Sequence, residues 1–156
     1  MSIWTTRPVI EDIQALIPGT LMESLDIRLT EVRDDALVGS MAVDQRTHQP
    51  YGILHGGASV ALAESLGSLA GYFCRRDPDT LVVGQHVDAH HLRPVRSGRV
   101  HGTATPVHLG RRSQLWSVRI TDDDNRLICV SGSYRKSSPC RKSGFQQIDR
   151  TCRTNP

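Results

Sequence analysis

One carboxylate stands alone in an apolar segment of the sequence. Glu64 is the only charged residue between Gly56 and Cys74, a stretch of small and aliphatic side chains typical of a buried helix. Burying a carboxylate costs free energy unless a cation or hydrogen-bond donors compensate it, and this helix contains no arginine or lysine. Glu64 is therefore predicted either to reach solvent on one helix face or to act in a cleft as a general base or nucleophile. Ser68 follows one turn later, where its hydroxyl can hydrogen-bond the carboxylate or a water molecule.

A pair of glycines begins the same helix. His55-Gly56-Gly57 lies where a polar loop enters the helix, and the first N–H groups of a helix have no partner within it. Because glycine lets a ligand approach the backbone and the helix dipole is positive there, this position can bind the oxyanion of a tetrahedral acyl intermediate. Gln49 and His55 flank the loop and can donate hydrogen bonds to a carbonyl group. Glycines required only for packing are the alternative.

Polar side chains alternate along a later segment with the pattern of a strand. His86, Asp88 and His90 share one face of this strand, and His91 belongs to the opposite, more apolar face. Histidine and carboxylate at this spacing can hold a metal ion. If the apolar face meets the buried helix, however, the triplet points to solvent and His91 points into a substrate pocket. We favour that interpretation and expect no metal site.

The elements that must position these residues follow from hydropathy and turn residues. Apolar residues at helical spacing predict a short helix at 9–17 and a long one at 56–73. Alternating segments between glycine- and aspartate-rich turns predict strands at 25–32, 36–43, 81–93, 98–108, 113–121 and 126–135. One buried helix among strands with hairpin spacing indicates an α+β fold, in which a curved antiparallel sheet wraps the helix.

Length and charge restrict the class of protein. The 156 residues fit one domain, expected at 1–136, and the polar segment 137–156 is expected to be a poorly ordered tail. Of 19 basic and 16 acidic side chains, the tail holds four and one, which leaves 15 of each sign in residues 1–136. A domain without excess positive charge is not expected to bind nucleic acid.

No signal for secretion or membrane insertion is visible. No apolar run is long enough to span a bilayer, and the first residues lack the basic and apolar pattern of a secretory signal. The four cysteines form no Cys-x-x-Cys pair, so reduced thiols are expected rather than a zinc site or disulfides. A cytoplasmic protein that does not bind membranes is the resulting prediction.

The segment from Gln49 to Ser68 resembles the active-site signature of hotdog-fold acyl-CoA thioesterases. It is similar in particular to the group that hydrolyses 1,4-dihydroxy-2-naphthoyl-CoA, 4-hydroxybenzoyl-CoA and related aryl thioesters, and the similarity extends over residues 3–136. The resemblance implies a hotdog fold and hydrolysis of an aryl-CoA to free acid and coenzyme A, with no cofactor beyond the coenzyme A of the substrate. It implies that Glu64 attacks the thioester or activates water.

The same resemblance implies roles for the surrounding residues. The Gly56 N–H matches the oxyanion donor, Gln49 helps to polarise the carbonyl, and His55 supports the loop. Ser68 matches the hydroxyl that places the water or substrate. In this fold the site lies between subunits, which implies at least a homodimer, and pairs of dimers would form a homotetramer. Gly56 and Glu64 are about 12 Å apart along one helix, too far to serve one carbonyl within one chain.

Coenzyme A carries phosphates that cations must bind. Arg111 and Arg112 follow a predicted strand turn and are the candidates, with Arg93 beside the His91 pocket; solvated surface arginines are the alternative. Three other activities are left open: a proofreading thioesterase acting on an aryl carrier protein, a hotdog dehydratase, and a non-catalytic acyl-CoA-binding module. The acyl group itself is also left open, with menaquinone biosynthesis as one setting.

Overall fold

A computed structural model of the chain describes residues 2–139. Two short helices, α1 (Ile10–Gln14) and α2 (Leu21–Ser24), precede the first two strands, β1 (Arg28–Val32) and β2 (Leu37–Ala42). The long helix α3 (Gly56–Phe73) comes next. Four longer strands follow: β3 (Thr80–His91), β4 (Arg99–Leu109), β5 (Ser113–Asp122) and β6 (Leu127–Pro139).

The six strands form one antiparallel sheet with the order β1-β2-β4-β5-β6-β3, and α3 packs against β2 to β6. The helix buries a stripe without solvent exposure, formed by Leu62, Ala63, Leu66 and Ala70. A Cβ atom on Gly39 or Gly102 would lie within 2.8 Å of a methyl carbon of Leu66, so these two glycines of the sheet make room for the helix. The predicted α+β fold, with a central helix wrapped by a curved antiparallel sheet, is confirmed.

The predicted helix at 56–73 has the observed bounds, and the later strands differ from prediction by a few residues. The N-terminal elements differ more. The helix predicted at 9–17 spans only Ile10–Gln14, and the strand predicted at 25–32 begins at Arg28 because α2 precedes it. A four-residue helix is too short for its periodicity to be recognised. Asp26, with a positive φ of 51°, then turns the chain into β1.

The last strand extends beyond its prediction. Residues 137–139, assigned to the tail from sequence, pair with Val82, Leu81 and Thr80 of β3. Serine and proline carry little strand signal, but ladder pairing uses backbone groups and does not depend on side-chain character. The domain therefore includes Pro139, and the rest of the predicted tail lies outside the described residues.

Strand β3 is one edge of the sheet. Within the described residues it pairs with β6 alone, and most of its side chains from Val83 to His91 are exposed. Long exposed edges normally pair with another strand or are covered. None of the helices in residues 2–139 has both the length and the apolar character needed to cross a membrane.

Candidate active site

The loop before α3 is fixed by backbone hydrogen bonds. Gln49 N–H donates to Ile53 O at 2.9 Å, and Gly52 N–H donates to Gln49 O at 2.9 Å. Gly52 adopts a φ of 67°, which favours glycine at this tight turn. The two ends of the loop are joined by a hydrogen bond from His55 N–H to Thr47 O at 2.8 Å. The Gln49 side chain is thereby held beside the start of the helix.

His55 caps the helix. Its Nδ1 accepts a hydrogen bond from Gly57 N–H at 2.8 Å, so its ring stabilises the start of the helix. Gly56 N–H donates no hydrogen bond within residues 2–139, which leaves it available for a ligand oxygen. A Cβ atom on Gly56 would lie 2.8 Å from Nε2 of His91. Glycine is needed here because the imidazole packs directly over its Cα.

A cavity of about 440 Å³ opens beside the helix start. Gln49, Gly56, His91 and Arg93 all line it, so four residues singled out from the sequence meet here. Arg93 also donates to the carbonyl oxygen of Leu127 at 2.6 Å, which fixes the guanidinium at the cavity wall. This cavity has the donors for a carbonyl oxygen and one cation, but none of the described residues that line it carries a carboxylate.

Glu64 lies further along α3 and is paired. Its Oε1 accepts from Ser68 Oγ at 3.2 Å and from Arg135 Nη1 at 3.0 Å. Its Oε2 accepts from Arg135 Nη2 at 3.0 Å and from Ser133 Oγ at 3.3 Å. The side chain of Arg135 is fully buried, whereas 36% of that of Glu64 is exposed. The helix itself supplies no cation, as its sequence shows, and the partner comes from β6.

Arg135 was missed because its strand appears polar. The residues of β6 that face the helix include Ser131, Ser133 and Arg135, and in sequence such a set is typical of a solvent-facing row. A second signal was available in the helix. Cβ atoms on Gly67 and Gly71 would lie 2.7 and 3.2 Å from atoms of the Arg135 side chain, so these two glycines leave the space in which that side chain packs.

A second cavity, of about 310 Å³, opens beside Glu64. Most of its lining is apolar and includes Leu69, Tyr72 and Val82, whereas Ser68 and Gly84 line it next to the carboxylate. A Cβ atom on Gly84 would collide with Oε1 of Glu64, so a larger residue at this position of β3 would leave no space for the carboxylate. This half of the site has a carboxylate and an apolar pocket, but no free backbone donor at a helix start.

The two halves do not meet within one chain. Within the described residues, no side chain lines both cavities. Gly56 and Glu64 are eight residues apart on one straight segment of helix, or about 12 Å. One carbonyl group cannot contact both in a single copy of the chain, as the sequence predicts.

The remaining candidates lie elsewhere. Arg111 and Arg112 are exposed in the turn between β4 and β5 and line neither cavity. His86, Asp88 and His90 face solvent on the outer face of β3, as predicted, with the two imidazoles 3.9 and 3.5 Å from the carboxylate. Among residues 2–139 no set of three side chains is placed to hold a metal ion.

Cys129 lies opposite His91 in the β3–β6 register. It is fully buried, and burial raises the pKa of its thiol above the ordinary value. A protonated, inaccessible thiol is a poor nucleophile. Among the described groups around the two cavities, Glu64 and His91 are thus the candidates for base chemistry.

A mid-helix carboxylate, a helix start with a free glycine N–H and a wrapping antiparallel sheet define a hotdog-fold enzyme acting on acyl thioesters. The chain belongs to the thioesterase superfamily, whose family model matches residues 51–129. The fold and the enzyme class expected from the segment Gln49 to Ser68 are both confirmed.

Individual relatives agree with this assignment. A 1,4-dihydroxy-2-naphthoyl-CoA hydrolase of Escherichia coli is 47% identical over 129 residues, which cover 83% of this chain and 94% of that protein. A proofreading thioesterase EntH of Cronobacter turicensis is 50% identical over 129 residues, covering 83% of this chain and 93% of that protein. The crystal structure of a mutant of thioesterase PA1618 from Pseudomonas aeruginosa has a TM-score of 0.87 at 42% identity, and covers 89% of this chain and 100% of that one.

Proposed function

We propose that the protein hydrolyses an aryl-CoA thioester, such as 1,4-dihydroxy-2-naphthoyl-CoA, to the free acid and coenzyme A. The observation that carries the proposal is the apolar cavity beside Glu64, which pairs a carboxylate with a pocket suited to a flat apolar acyl group. The 47% identity to a 1,4-dihydroxy-2-naphthoyl-CoA hydrolase supports the same substrate class. Menaquinone biosynthesis is the setting that we propose for this reaction.

The proposed reaction uses water and the side chains described above, without a further cofactor. Glu64 takes a proton from water, or attacks the carbonyl carbon itself, and a C–O bond forms as the carbonyl oxygen becomes an oxyanion. The free Gly56 N–H stabilises that oxyanion and Gln49 polarises the carbonyl. The C–S bond then breaks and the thiolate of coenzyme A takes up a proton. When Glu64 itself attacks, the acyl group is left on Glu64 as an anhydride, and water then breaks the bond between the acyl carbon and the Glu64 oxygen to release the acid and restore the carboxylate. In both routes water supplies the oxygen and protons that balance the products.

We propose a homodimer, which pairs further into a homotetramer, as the active form. The exposed edge of β3 supports pairing with a second copy, and the separated half-sites support a reaction centre shared between subunits. In this arrangement Glu64 of one subunit works with Gln49 and Gly56 of the partner subunit. Arg111 and Arg112, exposed at a strand turn, and Arg93 would bind the phosphates of coenzyme A, and His91 would contact the substrate.

A compartment with reduced thiols fits the described chain. Cys74 and Cys129 are buried and free, and no disulfide joins them. Hydrolysis of a coenzyme A thioester also takes place where coenzyme A is made and used. We therefore propose that the protein acts in the cytoplasm.

Thiol release from a panel of acyl-CoA substrates tests this function. We expect kcat/KM for 1,4-dihydroxy-2-naphthoyl-CoA and 4-hydroxybenzoyl-CoA to exceed that for hexanoyl-CoA and palmitoyl-CoA by at least about tenfold, since a misfit of even one methylene group in an apolar pocket costs ~1–3 kcal/mol. An enzyme with no thiol release from any member, or one that prefers long aliphatic chains, would overturn the proposal.

A second substrate class is favoured by one observation, the 50% identity to a proofreading thioesterase. An aryl group loaded on a carrier protein presents the same thioester on the same phosphopantetheine arm as coenzyme A. Comparing kcat/KM for one aryl group on coenzyme A and on an aryl carrier protein separates the two. A strong preference for the carrier-protein thioester would indicate that the site acts in proofreading and not in the hydrolysis of aryl-CoA.

A further inference from the structure

Arg135 is a buried cation whose hydrogen bonds converge on Glu64. Its Nη1 donates to Oε1 of Glu64 and to Ser68 Oγ, and its Nη2 donates to Oε2 and to the main-chain oxygen of Glu64. Nη2 also donates to Ser133 Oγ at 2.7 Å. Among the described residues, Arg135 is the charged side chain bonded to this carboxylate; the neighbouring β3 contributes Gly84, which carries no charge.

Stability alone does not account for this arrangement. Burying an ion pair costs desolvation that the attraction only partly repays, and well-packed apolar side chains are often as stable. The Nε of Arg135 adds to that cost, because it is buried without a hydrogen-bond partner in the described structure. Gly67 and Gly71 of α3 are also needed to leave space for the Arg135 side chain. Because the Glu64–Arg135 ion pair adds little to the stability of the fold, its role is sought in the function of the site.

The guanidinium fixes the plane of the carboxylate. Its planar fork binds both oxygens of Glu64, and the third contact, to the Glu64 main chain, prevents the fork from rotating. Ser68 and Ser133 each donate to one of the two oxygens. All four lone-pair positions of the carboxylate thus have donors from this chain.

A reactant must displace one of these donors, and the geometry selects which. Arg135 is fully buried and cannot replace its hydrogen bonds to Glu64 by hydrogen bonds to solvent, so those bonds are costly to break. Ser68 lines the apolar cavity, where its hydroxyl can turn to water or substrate, and Ser133 is fully buried. Ser68 bonds Oε1, so Oε1 is the oxygen that becomes free on the substrate side.

We infer that Arg135 is a positioning residue, which locks the Glu64 carboxylate so that Oε1 is presented to the substrate once Ser68 turns away. This inference rests on the proposed catalytic role of Glu64. It adds a residue from β6 to a site that the sequence pattern assigns to the loop and α3 alone.

Replacing the guanidinium by a neutral chain of similar length tests the inference. We expect Arg135→Met to lower kcat about 10²-fold, the cost of a carboxylate misplaced by about 1 Å, while KM changes less than about threefold. Arg119→Met is the matched control, because Arg119 is exposed on β5 and should keep wild-type kinetics.

Arg135→Lys separates charge from geometry. It retains a cation but not the planar fork, so kcat should remain at least about tenfold below that of the wild type. Ser133→Ala leaves the ion pair intact and should affect kcat by only a few fold. These two variants decide the matter if Arg135→Met does not fold by circular dichroism.

The outcomes distinguish this inference from the proposed function. Carboxyl ¹³C NMR of glutamate-labelled protein at one fixed pH, without substrate, should show one signal that is absent in Glu64→Gln. That signal should broaden or change its chemical shift in Arg135→Met, because the carboxylate loses its fixed partner. A folded Arg135→Met protein with wild-type kcat and an unchanged Glu64 signal overturns the inference. A wild-type protein that releases no thiol overturns the proposed function, and the NMR comparison still tests the positioning of the carboxylate.

Discussion

At the scale of single residues, the pairing of Glu64 with Arg135 changes how a substitution must be interpreted. Glu64→Gln removes the basicity of the side chain and should lower kcat about 10²–10⁴-fold. It also leaves a buried guanidinium without a counter-ion, which should lower the free energy of unfolding by ~3–5 kcal/mol. Glu64→Asp should fail as well, because the shorter arm cannot reach both the fork and the thioester. Steady-state thiol release and urea unfolding measure the two effects separately.

The double variant Glu64→Gln/Arg135→Met is the control for that experiment. Removing both charges should restore most of the lost stability, since no unpaired ion remains, but should restore none of the activity. A Glu64→Gln protein with wild-type kcat would end the catalytic assignment of Glu64. A double variant as unstable as Glu64→Gln would instead show that charge burial is not the source of the instability.

Thiol reactivity is a second prediction at this scale. Burial raises the pKa of Cys74 to about 12 and raises that of Cys129 in the same direction. At pH 8 a thiol with a pKa of about 12 is ionised to about 10⁻⁴, so Cys74 should resist alkylation in the native protein. Cys129 should also resist it, because its side chain is fully buried. In a Cys140→Ser/Cys152→Ser variant, mass spectrometry after iodoacetamide treatment should show labelling in urea but little without it. Rapid native labelling of either thiol would contradict the buried placement.

At the scale of elements, Asp26 ties the turn before β1 to β4. Its Oδ2 accepts from Arg99 Nη1 at 2.7 Å, and its Oδ1 accepts from Arg28 Nε at 2.6 Å. Burial raises the pKa of Asp26, but hydrogen bonds and charges from Arg99 and Arg28 outweigh it and hold the pKa below its ordinary 3.8. The carboxylate therefore contributes stability that is present above pH ~4 and is lost as the pH falls through the lower folded pKa.

Asp26→Asn tests this link, because asparagine also tolerates the positive φ at this position. At pH 7 the variant should lose ~1–2 kcal/mol of unfolding free energy, and the difference from wild type should shrink as the pH falls below ~3. Asp35→Asn, at an exposed turn, is the matched control and should match wild type throughout. A stability difference that does not change with pH would show that the Asp26 charge is not responsible.

At the scale of the whole molecule, a shared site predicts complementation between inactive chains. Glu64→Gln disables one half-site and Gln49→Ala the other. In a mixed dimer one reaction centre carries both lesions and the second is intact, so co-expression should restore about a quarter of wild-type activity, given random pairing. Thiol release from co-expressed, doubly tagged protein measures this recovery.

The control for complementation uses two lesions in the same half-site. Glu64→Gln paired with Arg135→Met leaves no intact centre, so activity should stay at the level of the single variants. Recovery in this control, or none with Gln49→Ala, would contradict a centre shared between subunits. Sedimentation of wild-type protein should give at least a dimer, and a monomer would remove the basis of the experiment.

The parts of the site that could be predicted from sequence are those specified by residues close together in the chain. Helix α3 and the glycine helix start were visible because an apolar run and a cap occupy consecutive residues. The separation of Gly56 from Glu64 also followed from sequence, since helix rise alone fixes it. The hydrogen bond from Ser68 was expected from the one-turn spacing and is present.

Arg135 and Gly84 could be recognised only in the tertiary structure. Arg135 belongs to β6, far from α3 in sequence, and Gly84 belongs to β3, the next element after α3; antiparallel register places the two opposite each other, and both contact Glu64. No local pattern specifies that register, because it is decided by which strands pair across the whole sheet. Sequence alone thus determined the fold class and the carboxylate, through local periodicity and composition. The partner that holds the carboxylate was decided by strand pairing, since a buried ion pair forms only where two distant segments are brought together in the core.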